Sequence, residues 1–237
     1  MKLLGRIDLV DTVESEGKIF VKIVDYKSGN KKFDIAALYY GLQLQLVLYM
    51  NAAVEQEKKK HPGKEVVPAA MLYYHVADDC LETETELTEE EINQKIRENL
   101  RANGVINKDE AVIDRLIDEK SGKSDVIPVE FKKDGTLSSR SDVMDEAEME
   151  EISRFVTGKV KKLGREILEG RVSCNPYKKD KESACTYCPY KGVCGFDTGM
   201  DGYSYRVLPD MDKDTAMEHI RKELDEEQKK GREKEWQ

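Results

Sequence analysis

A chain of 237 residues with 37% charged, 39% hydrophobic and 7% aromatic side chains has the apolar content for one sizeable core, which excludes a disordered or fibrous protein. No apolar run approaches the ~18 residues of a membrane span, and the opening Met1-Lys-Leu-Leu-Gly5 leads into no hydrophobic signal region, so no membrane partner is expected and a cytoplasmic location is. The 39 Lys+Arg against 48 Asp+Glu give a net charge of −9, which opposes long-range attraction to a polyanion but leaves open a local basic groove, since acidic and basic residues cluster in separate segments.

Residues 3–14 and 18–26 are rich in Val, Ile and Phe and are separated by Ser15-Glu16-Gly17, which predicts a β-hairpin. From residue 33 to about 60, Leu38, Leu42, Leu46 and Tyr49 recur at helical spacing until Pro62-Gly63, which predicts one long helix. Residues 66–77 read as a buried strand with Pro68 near its start. Thr88 followed by three glutamates is a helix N-terminus, because a hydroxyl cap and early acids satisfy free amides and the dipole. Helices are predicted over 89–102 and 108–119, a short strand over 126–132, and a long amphipathic helix over 141–169. After Gly170 a Cys, Tyr and Pro mixture without periodicity predicts a compact loop that needs a metal centre to hold it. Beyond Asp210, Ala216, Met217, Ile220 and Leu224 form an apolar stripe on a charged terminal helix. The division expected is a core over 1–172, a Cys-rich segment over 173–205 and the charged helix over 206–237.

Alternate side chains share a strand face, so Asp25 and Lys27 point one way and Tyr26 the other. If Glu16-Gly17 is a two-residue turn, Ser15 pairs with Lys18 and Asp8 stands opposite Asp25. Like charges so placed are destabilising, and a divalent cation removes the conflict. Mg²⁺ favours one or two carboxylates together with water and phosphate oxygens, and the Tyr26 carbonyl adds a further oxygen. A lysine on the same face suits metal-assisted phosphodiester hydrolysis, by orienting water or neutralising developing charge. A three-residue turn instead slips the register by one. Asp-x-Lys also arises about once by chance in such a chain, so a solvent-facing surface pair is the alternative. Gln45 and Tyr49 lie one helical turn apart among apolar neighbours, so the amide needs a partner, supplied either by the site or by local backbone.

These residues carry a resemblance. Gly5-Arg6-Ile7-Asp8, then Val24-Asp25-Tyr26-Lys27-Ser28-Gly29, then Gln45-Leu-Val-Leu-Tyr49, resembles the RecB-type branch of the PD-(D/E)xK nucleases. The resemblance implies a restriction-endonuclease-like α/β core with a mixed central sheet flanked by helices. It also implies Asp8 and Asp25 as ligands of Mg²⁺ or Mn²⁺, Lys27 as the catalytic lysine, and Gln45 as a residue that positions lysine or water, with Tyr49 completing the motif. Leu9 stands where relatives commonly carry Arg.

Five cysteines in a chain without an export signal are expected to serve metals or chemistry in place of disulfides. Cys185-x-x-Cys188 and Cys194 are spaced for a tight loop to converge on one centre, with Cys174 a possible fourth ligand and Cys80 a small buried residue. The segment from Ala184 to Asp197 resembles the C-terminal end of AddB-type helicase–nuclease subunits. In these a [4Fe-4S] cluster is held by three such cysteines and one far upstream, which implies Cys185, Cys188 and Cys194 as ligands in a Cys-rich cap. Relatives carry that upstream cysteine, and often an active-site His, before the Gly-Arg-Ile-Asp strand. The chain is therefore expected to be a fragment that lacks the fourth ligand.

The function implied is a metal-dependent deoxyribonuclease, an exonuclease acting on single-stranded DNA beside a helicase partner subunit during double-strand break processing. A CRISPR-associated RecB-like exonuclease and a non-catalytic DNA-binding nuclease fold are the alternatives. Ser121-Gly122-Lys123-Ser124 lacks the earlier glycine and the preceding strand of a phosphate loop, so no ATP site is expected. His75 sits in an apolar run and reads as a core residue.

Overall fold

A computed structural model describes residues 2–29, 31–76, 86–118 and 120–235. They form two compact units, one made of residues 2–34 and 43–156, the other of residues 35–42 and 157 onward.

The first unit is built on a mixed sheet of order β1-β2-β3-β4-β5: β1 Leu9–Ser15, β2 Lys18–Lys27, β3 Glu65–His75, β4 Asn103–Asn107 and β5 Val143–Met144. The β1/β2 and β3/β4 pairs are antiparallel, and β2/β3 and β4/β5 are parallel. Glu16 and Gly17 both have positive φ, 53° and 77°, as a twist-matched two-residue hairpin turn requires. That turn sets Ser15 opposite Lys18 and Leu9 opposite Val24, the expected register. β1 is an edge strand with an exposed face, and its Asp11 pairs with Lys22 across the ladder at 2.8 Å, which blunts the edge with charge.

β2 is buried on both faces, as a central strand covered by helices should be. Phe20 and Val24 enter a core with Val67, Leu72, Ile106, Ile113 and Phe131, while Ile19, Val21 and Ile23 are buried on the opposite face. Each such side chain contributes about 1.5–3 kcal/mol of burial. Pro68 cannot donate to a ladder, and the β2/β3 register shifts beside it between Val21 and Lys22.

The helix expected over 33–60 is two helices, α1 Ile35–Tyr39 and α2 Gln45–Lys60. Gly41 adopts φ 86°, its amide bonds Leu38 O at 2.9 Å, and the Leu42 amide bonds Ala37 O at 2.9 Å. This Schellman closure consumes the last carbonyls of α1 and ends it. α2 packs on β2 and β3 through Leu46, Val47, Met50 and Ala53. Thr88 caps α3 Glu89–Leu100 with a capping box shared with Glu91, as its sequence signals.

Four other expectations need correction. β4 was not expected; it occupies the gap between the helices expected over 89–102 and 108–119. The expected helix over 108–119 is the shorter α4 Glu110–Leu116, capped by Asp109. The alternation at 126–132 reflects burial of Ile127, Val129 and Phe131 without a strand. There the Arg101 guanidinium bonds the Ile127 and Val129 carbonyls at 2.9 and 3.2 Å, so a side chain takes acceptors that a neighbouring strand would use. Residues 143–144 join the sheet as β5 before α5 Glu146–Leu168 begins. Cys80 lies outside the described residues.

In the second unit α1 packs on α7 Lys213–Glu235, whose Ala216, Met217, Ile220 and Leu224 are buried. The Cys-rich segment contains a small sheet of order β7-β6-β8, from β6 Tyr177–Lys179, β7 Glu182–Ser183 and β8 Arg206–Val207, and one turn of helix, α6 Lys191–Cys194. Phe196 lies edge-on to Tyr203 and Tyr205, with ring centroids 5.8 and 4.9 Å away. No helix among the described residues is long and apolar enough to cross a membrane.

Candidate active site

The C-terminal end of β2 carries the site. Alternation puts Asp25 and Lys27 on the face shared by Ile19, Val21 and Ile23, and Lys27 meets α2 there. Tyr26 points the other way, 46% exposed, edge-on to Tyr74 at 5.9 Å.

Asp8 is one residue beyond the β1/β2 ladder. Its Oδ2 accepts the Tyr26 amide at 3.0 Å, so a carboxylate replaces the backbone acceptor that a longer strand would provide. This bond fixes Asp8 beside the Asp25–Tyr26 peptide. Asp25 is 2% exposed. Lys27 Nζ lies 2.5 Å from Asp25 Oδ2, yet that oxygen receives no aligned hydrogen bond, so the contact is charge against charge. The Lys27 ammonium offsets the charge of this buried carboxylate.

Lys27 Nζ also donates to Gln45 Oε1 at 3.0 Å, and Gln45 Nε2 donates to Tyr49 Oη at 3.0 Å. The ammonium has no acceptor, so the amide must turn its oxygen to Lys27 and its nitrogen to Tyr49. Tyr49 keeps its own proton to donate elsewhere. A Cβ on Gly5 would lie 3.1 Å from Tyr49 Cε1, so the glycine of the Gly-Arg-Ile-Asp motif lets the chain pass against the tyrosine ring. The structure thus links Asp25, Lys27, Gln45 and Tyr49 in one chain of contacts, with Asp8 bound to the intervening Tyr26 amide.

Two further residues belong to this neighbourhood, and sequence reasoning missed both. Tyr73 stands opposite Asp25 in the β2/β3 register and is 2% exposed, with no hydrogen-bond partner for its hydroxyl among the described residues. Burial, with the Asp25 charge second, pushes its phenol up to about 12. Lys27 Nζ and Lys31 Nζ lie 5.6 and 5.3 Å from its ring centroid. Burial and then the Lys27 charge push the Lys31 ammonium below the ordinary lysine range, against the pull of Asp25. The β2/β3 pairing that reveals Tyr73 has no local signal, whereas Lys31-Lys32 directly after the Asp-x-Lys strand is visible in sequence.

Asp8, Asp25 and the Tyr26 carbonyl are the oxygens at this end of β2 that could hold a divalent hard cation, which would share its shell with water and phosphate. Among the described residues no group of three or more His, Cys, Asp or Glu side chains is arranged to hold a metal, so the set depends on the carbonyl and outside oxygens.

The cysteines come together only in part. Cys174 Sγ lies 3.5 Å from Cys194 Sγ. The hydrogen bond with Cys194, burial, and the nearby Cys194 and Cys185 thiols push the Cys174 thiol up. Cys174 and Cys194 are exposed, and Cys185 and Cys188 half-buried. Ser121-Gly122-Lys123-Ser124 lies in an irregular stretch that no helix directly follows, with Lys123 bridged antiparallel to Glu130 and Ser124 Oγ accepting the Val126 and Ile127 amides at 3.2 and 3.3 Å.

A family model of the PD-(D/E)XK nuclease superfamily matches residues 1–195. The chain is similar to an ATP-dependent helicase/deoxyribonuclease subunit of Lachnoclostridium phytofermentans, 41% identical over 232 residues, which is 94% of this chain and 20% of that protein. Proteins of the same description from Clostridium tetani and Caldanaerobacter subterraneus subsp. tengcongensis are 38% identical over 227 residues and 40% over 212. Those matches cover 96% and 88% of this chain and 20% and 18% of theirs. The chain spans about one-fifth the length of the curated relatives it matches.

Proposed function

The chain belongs to the PD-(D/E)XK nuclease superfamily, and from that premise we propose that its site is a Mg²⁺-dependent deoxyribonuclease centre that hydrolyses phosphodiester bonds, acting as an exonuclease on single-stranded DNA. The observation that carries this reading is the linked set at the end of β2. There the buried Asp25 carboxylate faces the Lys27 ammonium at 2.5 Å, and that lysine is held by Gln45, itself held by Tyr49.

In this reading Asp8, Asp25 and the Tyr26 carbonyl hold the divalent ion, which supplies charge stabilisation at the phosphoryl oxygen and a more acidic bound water. Asp25 also sets the Lys27 ammonium at the end of the strand. Gln45 fixes that ammonium's direction, so it is already oriented when charge develops on the phosphate, and little reorganisation is needed. Tyr49 orients Gln45 by accepting its amide N–H.

The relatives' description as a helicase/deoxyribonuclease subunit supports a place in a longer protein that works with a helicase partner in double-strand break processing. The Cys185-x-x-Cys188…Cys194 spacing supports [4Fe-4S] ligation by these three thiolates within that longer protein, in a Cys-rich segment over 173–205 that follows the nuclease core. Iron and sulfide analysis of anaerobically purified protein tests this.

The nuclease reading is tested by incubating purified protein with end-labelled single-stranded DNA and Mg²⁺ or Mn²⁺, beside Asp25→Ala and Lys27→Ala. Cleavage by the wild type and loss in both variants is expected. Equal cleavage by all three proteins, or none by the wild type, refutes it.

A further inference from the structure

Lys31 follows β2 on a loop that is fixed at several points. Its amide bonds Gly29 O at 2.8 Å. Gln43 Nε2 bonds Lys32 O at 3.0 Å, while Gln43 Oε1 accepts the Asp34 amide at 3.2 Å. Asn103 Oδ1, at the start of β4, accepts the Phe33 amide at 2.6 Å. Two side-chain amides therefore hold the loop by its backbone, which leaves the Lys31 side chain no part in anchoring it.

That side chain is half-buried and its ammonium lies against the Tyr73 ring, whose backbone pairs with Asp25. Among the described residues it has no carboxylate within ion-pair distance. Lys27, against the same ring, is committed to Asp25 and Gln45. A partly desolvated ammonium held by a cation–π contact, which feels Asp25 only at a distance and makes no ion pair of its own, is stabilised by an incoming anion. At the edge of a phosphodiester site that anion is a backbone phosphate.

We propose that Lys31 is a second substrate-contacting cation of this site, its ammonium taking an oxygen of the backbone phosphate adjacent to the scissile one. The assignment rests on the nuclease reading for its position, and on the anchored loop and the unpaired ammonium for its chemistry. Lys27 acts at the reacting phosphate, and Lys31 sets the register of the strand beside it.

The test is binding of a fluorescent single-stranded oligonucleotide by anisotropy in Ca²⁺, across a series of KCl concentrations, for the wild type, Lys31→Gln, Lys31→Met and Lys31→Arg, with thermal melting of each. Loss of one phosphate contact flattens the slope of log K against log salt by about 0.7. The Gln and Met variants are expected to show that flattening with an unchanged melting temperature, and Arg to restore the slope. A single neutral methylphosphonate linkage at the contacted position should flatten the wild-type slope and leave Lys31→Gln unaffected. Wild-type slopes in both neutral variants overturn the proposal. Cleavage in Mg²⁺ is measured beside it: a wild type that binds with the Lys31-dependent slope but does not cut refutes the nuclease reading and leaves the phosphate contact standing.

Discussion

Replacing Gln45 with leucine removes the amide that joins Lys27 to Tyr49 while keeping an apolar side chain of similar reach at the start of α2. Two bonds are lost: Lys27 Nζ to Gln45 Oε1 and Gln45 Nε2 to Tyr49 Oη, both 3.0 Å. A hydrogen bond to a charged group contributes about 1.5–3 kcal/mol, and a neutral one about 1. The lysine remains held by Asp25 but can rotate about that single contact. If the charged bond's worth is expressed only once Lys27 meets developing charge, the loss is about 10- to 100-fold in the chemical step, at 1.36 kcal/mol per tenfold. Single-turnover cleavage of labelled single-stranded DNA in saturating Mg²⁺ reads this directly. The expected pattern is a fall in rate with little change in DNA affinity, and substantial recovery in Gln45→Glu, which keeps an acceptor for Lys27 and lets Tyr49 donate. A leucine variant with the wild-type melting temperature and a rate within about twofold of wild type refutes the idea that Gln45 orients the lysine.

Gly104→Ala is expected to be severely destabilising, because its Cβ would lie 2.1 Å from Met71 O and φ is +152°. The β3/β4 ladder must open at Leu72–Gly104, a cost of about 4 kcal/mol or more, and an unfolding free energy from urea titration within about 1 kcal/mol of wild type contradicts this. Tyr73 predicts an alkaline effect. Its phenol is raised to about 12 in the folded protein from an ordinary 10, so the folded state holds a proton that the unfolded state has released between those values. Stability should be intact below pH 10 and fall from there towards pH 12. Tyr73→Phe should flatten that fall and, by removing a hydroxyl without a partner, cost little at neutral pH. An unchanged alkaline profile in the phenylalanine variant refutes it. Tyr39, also raised to about 12, keeps a residual fall in either case.

The arrangement of the candidate site residues was more legible than the scaffold around them. Glu16-Gly17 set the hairpin register in advance, and the register carried Asp8 to the level of Asp25 because strand pairing is periodic and short-ranged. Gln45 and Tyr49 were legible as one helical turn. The single long helix failed at Gly41, where a left-handed residue followed by a 6→1 bond outweighed the continuing apolar spacing. β4 was missed because its five residues are too few to show a strand period, and its glycine serves the close approach of Met71, a contact remote in sequence. The strand expected at 126–132 failed because alternation reports which side chains are buried, not what satisfies their backbone, and here Arg101 does so. Tyr73 and the anchoring of Lys31 depend on β2/β3 pairing and on Asn103, contacts between residues far apart in the chain that no local pattern encodes.

The central claim is that Asp8 and Asp25 gather a divalent ion at the end of β2, and binding of Mn²⁺ followed by electron paramagnetic resonance tests it without relying on turnover. The account predicts that wild-type protein removes free Mn²⁺ signal stoichiometrically, that Asp8→Asn and Asp25→Asn each abolish the tight site, and that Asp11→Asn, a change on the exposed face of β1 beside Lys22, leaves it intact. A double Asp8→Asn, Asp25→Asn protein that binds Mn²⁺ as the wild type does contradicts it.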